Sequence, residues 1–307
     1  MEVRKTWPLV LKTLLGLLFI ASAILKVLDM DKFEIYVYSY RFFSLNLSFL
    51  VARIAIILEL VIGIGLVFNV FHKLMWWSGM AMLAGYTLLL GYALTLGRSD
   101  SCHCFGALLP FNPWQSILKN LLLMALFALA YKVKGRTFKG QWMAFACVAV
   151  ASVATVFIVS PPDNFTQNYR PEKNLNVALF NKLLSQPPLD AFHLQEGKQV
   201  VCLLSTTCEL CELAARKLSL MQQRYGFPSE NITFVFMGNE EEIKPFFEHS
   251  ESAEYRSVLY GDVRGFLSVN GGNFPTLAFL DHGTVVYEYG LRNMNEGKIR
   301  EFFTKND

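Results

Sequence analysis

The first 160 residues alternate long apolar runs with short polar connections, and the rest of the chain shows shorter runs. A helix that crosses a bilayer needs about 20 mostly apolar residues. Five runs meet this length, so the pattern predicts five membrane-spanning helices in contact with the lipid bilayer. The runs are Pro8–Leu28, Ser48–Val70, Leu74–Leu96, Trp114–Val133 and Gln141–Ser160.

Four charged residues fall inside the first two runs. Lys12 and Lys26 are near enough to the ends of the first run for their ammonium groups to reach the interface. Glu59 lies near the middle of the second run, and Arg53 lies about a turn and a half before it. Intramembrane charges are costly and often functional. Two interpretations stay open: an internal ion pair of Glu59 with Arg53 or Lys26, or a proton or quinone site.

The charges between the runs predict the orientation. Residues 1–160 carry 14 Lys and Arg against 6 Asp and Glu, and residues 161–307 carry 14 against 19. The flanks of alternate spans are strongly basic, and positive flanks stay in the cytoplasm. We expect a multi-pass protein of a bacterial plasma (inner) membrane, with a cytoplasmic N-terminus and a periplasmic C-terminal domain. The basic residues form no continuous stripe, which argues against a nucleic-acid partner.

The N-terminus also resembles a cleavable signal peptide. Arg4 and Lys5 precede an apolar run that contains Ala21-Ser22-Ala23, so residues 1–23 could be removed. The run continues past Ala23 and exceeds the usual apolar segment of about 7–15 residues, which favours a retained first span.

The second half predicts an α/β domain with about four strands. Strand and helix patterns alternate, and a turn signal at Asp281-His282-Gly283 separates the last two strands. The predicted strands are 199–205, 231–237, 276–280 and 285–289, and the predicted helices are 209–225, 240–249 and 295–303. The expected organisation is a four-helix bundle over 1–135, a fifth transmembrane helix over 136–160, a linker over 161–191 and an extracytoplasmic domain over 192–307.

Cys208 and Cys211 form a C-x-x-C pair between the first of these strands and its helix. The partial positive charge of a helix N-terminus stabilises a thiolate there, and the second cysteine can close a disulfide. An inert structural disulfide is one alternative. A zinc site is another, although it would need a second pair of ligands.

A second motif, Phe274-Pro275-Thr276, heads the next predicted strand. Together with the C-x-x-C pair it makes residues 192–305 resemble the thioredoxin fold. The resemblance implies that Pro275 is cis, lies against the C-x-x-C pair and helps to dock the substrate's chain. Thr276 and Phe274 lie beside it.

Two positions depart from the thioredoxin pattern. Thr207 replaces the usual tryptophan, and Cys202 replaces a buried aspartate that relays protons. Glu209 and Glu212 flank the pair, and their charges oppose thiolate formation.

Another cysteine pair, Cys102-His103-Cys104, lies between the third and fourth spans. The orientation places it on the same outer face as Cys208. Thiol–disulfide exchange needs contact and a thiolate, so the two pairs could relay electrons, and His103 could steady a thiolate. A plain loop disulfide and a Cu(I) site are the alternatives. Cys147 lies within the fifth span and is predicted to be a packing residue.

The surroundings of this loop resemble the DoxX-like / MauE membrane family. Gly97-Arg98 and Cys102–Gly106 match its C-x-C-F-G loop. The resemblance covers residues 8–135 and implies a four-helix bundle with the loop at its outer end. Further matches are Ala23, Lys26, Asp29, Arg53, Glu59, Leu60 and Gly63. Fusion to a thioredoxin-like domain also resembles, in architecture alone, bacterial vitamin-K-epoxide-reductase homologues.

These patterns predict a membrane-bound thiol–disulfide oxidoreductase that acts on an extracytoplasmic, cysteine-containing client protein. No metal is expected, and the redox-active disulfides require no cofactor, although a quinone stays open. The alternatives are a non-catalytic assembly factor and a Cu(I)-handling protein.

Overall fold

A computed structural model describes residues 3–97, 112–131, 139–161 and 175–304. The chain divides into two compact units, Met1–Pro162 and Asp163–Asp307. Each unit is described by itself. The loop residues Cys102, His103 and Cys104 lie outside the described residues.

The described part of the first unit is entirely helical. Five of its six helices are long and apolar enough to cross a membrane, which confirms the five predicted spans. The exception is the short second helix. The helices are α1 Val3–Leu28, α2 Met30–Ser39, α3 Leu45–Val67, α4 His72–Thr95, α5 Pro113–Ala130 and α6 Gln141–Val159.

Helices α1 and α3 pack backbone to backbone at two glycines. A Cβ added to Gly16 would lie 2.7 Å from the carbonyl oxygen of Gly63, and one added to Gly63 would lie 2.8 Å from that of Gly16. Small residues let membrane helices approach this closely. The same region holds a buried apolar cluster that includes Leu15, Phe19 and Ile62.

Helix α2 is an element that the apolar runs do not predict. Asp29, Asp31 and Glu34 make its sequence look like a polar connection, yet Phe33 and Ile35 are buried against the bundle. Ten residues are too few to span a bilayer, so α2 belongs to the bundle without crossing the membrane.

The second unit is an α/β domain built on a five-stranded mixed sheet. In space the strands run in the order β3-β2-β1-β4-β5. Strands β1, β2 and β3 are parallel, and β4 and β5 are antiparallel to their neighbours. The elements are α7 Val177–Leu184, β1 Lys198–Ser205, α8 Glu209–Tyr225, β2 Ile232–Met237, α9 Ile243–Ser250, β3 Arg256–Leu259, α10 Val263–Asn270, β4 Thr276–Asp281, β5 Thr284–Tyr289 and α11 Glu296–Thr304.

This topology confirms the predicted thioredoxin-like fold. A parallel β1-α8-β2 unit is followed by an antiparallel hairpin and a closing helix. Strand β3 and helix α10 were not expected. At four residues, β3 is too short to give a clear period in the sequence.

Helix α7 lies within the segment predicted to be a linker. Its N-cap Asn176 accepts a hydrogen bond from the Leu179 amide. Phe180 and Leu183 are buried against Leu203 in β1 and other residues of the sheet's core. The core of the second unit therefore includes residues before 192, because the apolar face of α7 completes it.

Candidate thiol–disulfide site

The chain brings Cys208 to the N-terminus of α8, directly after β1. Cys208 is the N-cap residue, and its sulfur accepts a hydrogen bond from the Cys211 amide at 3.2 Å. Its carbonyl oxygen accepts from the amides of Cys211 and Glu212. Helix N-termini favour negative charge, so this position suits a thiolate.

The two thiols of the pair have opposite environments. Cys208 is half-buried, whereas Cys211 is fully buried. A hydrogen bond from the Cys211 thiol, helped by the amides of Cys211 and Leu210, lowers the pKa of Cys208 to about 7. Burial raises the pKa of the Cys211 thiol far above its ordinary range. The pair therefore combines a half-buried thiol that ionises near neutral pH with a buried thiol that stays protonated.

Acidic neighbours limit this effect. The charge of Glu212 raises the pKa of Cys208, in the direction that the sequence predicts. Glu212 in turn lies 3.6 Å from His249 of α9. Between the two cysteines, Glu209 and Leu210 are exposed.

The motif at Phe274-Pro275-Thr276 lies at the same edge of the sheet as Cys208. Strand β4 pairs Thr276 with Leu203 in β1, two residues before β1 ends. The Phe274–Pro275 peptide bond is cis, as the resemblance implies. Pro275 and Thr276 are buried, and the Thr276 hydroxyl donates to the Asn273 carbonyl at 2.8 Å.

Thr207 is exposed beside Cys208, whereas Thr206 is buried. The Thr206 hydroxyl donates to Glu242, and Asn239 donates to the other oxygen of that carboxylate at 3.2 Å. These hydrogen bonds lower the pKa of Glu242. No local sequence pattern marks this cluster, because its members belong to separate loops that only the fold brings together.

Cys202 is a core residue of β1, paired with Phe234 on one side and Leu277 on the other. It is 1% exposed, and burial raises the pKa of its thiol well above the ordinary range. It therefore stays protonated and does not replace an ionisable aspartate. Cys147, expected to pack inside a span, is instead exposed on α6.

In the membrane unit the structure pairs Glu59 with Lys26, one of the two partners that the sequence left open. The Tyr86 hydroxyl donates to the same carboxylate oxygen at 2.8 Å, and the Lys26 ammonium also donates to Ser22 at 3.0 Å. Lys26 is 2% exposed, so the prediction that it reaches the interface is wrong. Lys12 is buried as well, and it donates to Asn69.

Arg53 pairs with Glu34 of α2 and not with Glu59. Its guanidinium also donates to the carbonyls of Phe49 at 2.9 Å, Ser160 at 3.0 Å and Pro161 at 3.0 Å. Arg53 thus ties α3 to α2 and to the end of α6. Glu34 and Tyr86 are polar partners that the sequence analysis missed.

Among the described residues, no group of three or more His, Cys, Asp or Glu side chains is placed to hold a metal ion. The predicted pair Cys102 and Cys104, with His103, falls outside the residues so described. Its role stays a prediction.

Comparisons with known proteins agree with the two-part organisation. Residues 4–133 match the model of the family described as "Methylamine utilisation protein MauE". The DoxX-like part of the expected resemblance stays a prediction. "Protein TlpB" of Flavobacterium psychrophilum is 25% identical over 299 residues, covering 81% of each chain. The chain is therefore similar to the MauE family over most of its membrane unit, and to this TlpB over most of its length.

Proposed function

We propose that this chain is a membrane-bound thiol–disulfide oxidoreductase with Cys208 as its nucleophile. The observation that carries the proposal is the contrast within the C-x-x-C pair: a half-buried Cys208 with a pKa of about 7 beside a buried, protonated Cys211. The resemblance to the MauE family and to TlpB supports a membrane thiol–disulfide oxidoreductase or a maturation role.

In the reducing direction, the Cys208 thiolate attacks one sulfur of a client disulfide. A mixed disulfide forms, and the client's other sulfur leaves as a thiolate, which takes up a proton. Cys211 then loses its proton and attacks the Cys208 sulfur, which releases the second client thiolate. Two electrons have passed to the client, and Cys208 and Cys211 are joined as a disulfide. Oxidation of a client dithiol is the same sequence in reverse.

The client's chain would dock beside Cys208 at the edge of the sheet. The exposed Thr207 and Leu210 flank the nucleophile, and the Phe274-Pro275-Thr276 segment heads the neighbouring strand. Thr207 in place of a large aromatic residue leaves room for a bulky client segment.

The second step of the proposal is exchange between this pair and Cys102 and Cys104, with His103 steadying a thiolate. The basic flanks of alternate spans support a cytoplasmic N-terminus, and with it an extracytoplasmic position for both cysteine pairs in the plasma membrane. Impermeant maleimide added to intact cells should label Cys104. Labelling from the cytosol alone would overturn the relay.

A trapping experiment tests both steps. In Cys211→Ala the mixed disulfide cannot be resolved, so clients should accumulate on Cys208, and an internal adduct with Cys102 or Cys104 should appear in the same gel. Cys208→Ser/Cys211→Ala is the matched control and should trap nothing. Client adducts without any internal adduct would disprove the relay and leave the oxidoreductase intact. Full biological function in Cys208→Ser would instead establish a non-catalytic assembly factor.

A further inference from the structure

A polar pocket lies inside the membrane bundle. Side chains from α1, α3, α4 and α5 line it, and its apolar walls include Phe19 and Leu83. Its polar lining residues are Ser22, Lys26, Glu59, Tyr86, Lys119 and Asn120. With both lysines charged, this lining carries one more positive than negative charge.

Two buried polar atoms in this pocket have no hydrogen-bond partner within the described part of the chain. They are Glu59 Oε2 and Asn120 Nδ2, on residues that are 2% and 1% exposed. A buried polar atom left without a partner costs about 1–3 kcal/mol. Within the residues that the structure describes, the pocket thus contains one free hydrogen-bond acceptor and one free donor, and the surrounding lipid tails cannot hydrogen-bond to either of them.

A second, aromatic pocket adjoins the first and shares Lys26 and Tyr86 with it. The space between its walls, counted together with its open mouth, is about 640 Å³, and its lining is almost wholly apolar. Phe33, Tyr36 and Tyr40 form much of its wall, and the hydroxyls of the two tyrosines are hydrogen-bonded at 2.7 Å. Such walls favour a flat ring, which can stack on aromatic faces.

We propose that these adjoining pockets bind the ring of a lipid-soluble quinone. The ring would lie against the aromatic wall, and the donors Lys26, Lys119 and Asn120 suit carbonyl oxygens. Glu59 Oε2 could accept a hydrogen bond from the hydroxyl of the reduced form. A carboxylate with an acyl chain would share the oxygens but not the ring, and the test below separates the two.

The site lies within three helical turns of the facing ends of α4 and α5. Tyr86 is nine residues before the end of α4, and Lys119 is six residues after the start of α5. At about 1.5 Å per residue these positions are roughly 9–14 Å along the helix axes from those ends. The proposal concerns binding alone, so it stands or falls independently of thiol exchange.

Titration of the full-length oxidised chain in lipid nanodiscs tests the proposal. Ubiquinone-1 and duroquinone are suitable probes, because their fully substituted rings resist addition of thiols, and oleate is the comparison. We expect saturable quinone binding that Asn120→Leu weakens about tenfold, or about 1.4 kcal/mol. This variant removes an unpartnered donor, so the bundle should fold. Tyr36→Leu should weaken binding as well.

Lys12→Met is the control, because it also replaces a buried polar side chain of the bundle by an apolar one. Lys12 binds Asn69 and does not line either pocket. Its quinone affinity should equal that of the unmodified chain. The proposal is overturned by an absence of saturable quinone binding, by unchanged affinity in Asn120→Leu, or by tighter binding of oleate with the same sensitivity to both pocket variants.

Discussion

The candidate sites of the two units contain different ionisable groups. In the membrane unit, Lys26 with Glu59 and Arg53 with Glu34 are ion pairs whose side chains are at most 3% exposed. The second unit also buries a charged side chain, Lys217, which donates to the Leu291 carbonyl, but this residue lies outside the C-x-x-C motif. The ionisable groups of that motif are thiols, which are neutral until deprotonated.

Buried charges and buried thiols therefore have different roles in the two units. A charge inside the bundle needs an opposite charge or a hydrogen-bond partner, so it restricts which helices can meet. A thiol costs little to bury, so its reactivity depends on where the backbone places it. Cys202 in a strand, Cys211 inside α8 and Cys208 at its N-cap carry the same side chain in three environments.

The largest predicted effect separates these thiols. Cys208→Ser should reduce disulfide exchange with a model disulfide by on the order of 10⁴-fold or more, as removal of a catalytic nucleophile does. Cys202→Ala should retain most of the rate, because its thiol is buried and protonated. Stopped-flow measurement on the full chain in detergent gives both rates. A comparable loss in Cys202→Ala, in protein that folds normally, would show that the buried thiol takes part.

The next largest effect concerns the ion pairs of the bundle. Arg53→Met removes the cation that pairs with the buried Glu34, and breaking a buried ion pair in this way costs about 3–5 kcal/mol of unfolding free energy. Unfolding in mixed micelles, followed by circular dichroism, measures it. The double variant Arg53→Met/Glu34→Gln should recover much of the loss. If the single and double variants are equally unstable, the hydrogen bonds of Arg53 to α3 and α6 matter more than its charge.

Local signals in the sequence were enough to predict the spans and the position of Cys208 at a helix N-terminus. A membrane span is recognised from about 20 consecutive apolar residues alone. The helix that begins after Cys208 is likewise predicted from the residues next to it in the sequence. Glu34 could not be found in this way, since its partner Arg53 is 19 residues away and α2 resembles a connection. Thr206 and Glu242 likewise meet only after β1 and β2 align.

The pH dependence of Cys208 alkylation tests how far the helix N-terminus changes the reactivity of this thiol. Only the thiolate reacts, so the alkylation rate of Cys208 should reach half of its maximum near its pKa of about 7 and level off above about pH 8. An unperturbed thiol would reach half of its maximum only at about pH 8.5. Glu212→Gln removes a charge that raises this pKa, so the plateau should move to lower pH by roughly 0.2–0.7 units.

Glu209→Gln is the matched control for this titration. Glu209 lies in the same first turn of α8 but is exposed, so solvent screens its charge more fully. Its plateau should move less than that of Glu212→Gln. Both shifts can be measured from the rate of reaction with iodoacetamide between pH 5 and 9. The chain used should have Cys208 as its only accessible thiol. An upward shift in Glu212→Gln would contradict the assigned sign.

The smallest predicted effect comes from removing an N-cap, and the N-caps differ between the two units. Asn112 caps α5 in a reciprocal capping box with Gln115, whereas Cys208 caps α8 through its sulfur. Asn112→Ala should cost about 1 kcal/mol of unfolding free energy, and Asn112→Ser should restore most of it. Neither should change the alkylation rate of Cys208. A changed rate would mean that the membrane unit alters the reactivity of the thiol in the second unit, and the two units could no longer be treated as chemically separate.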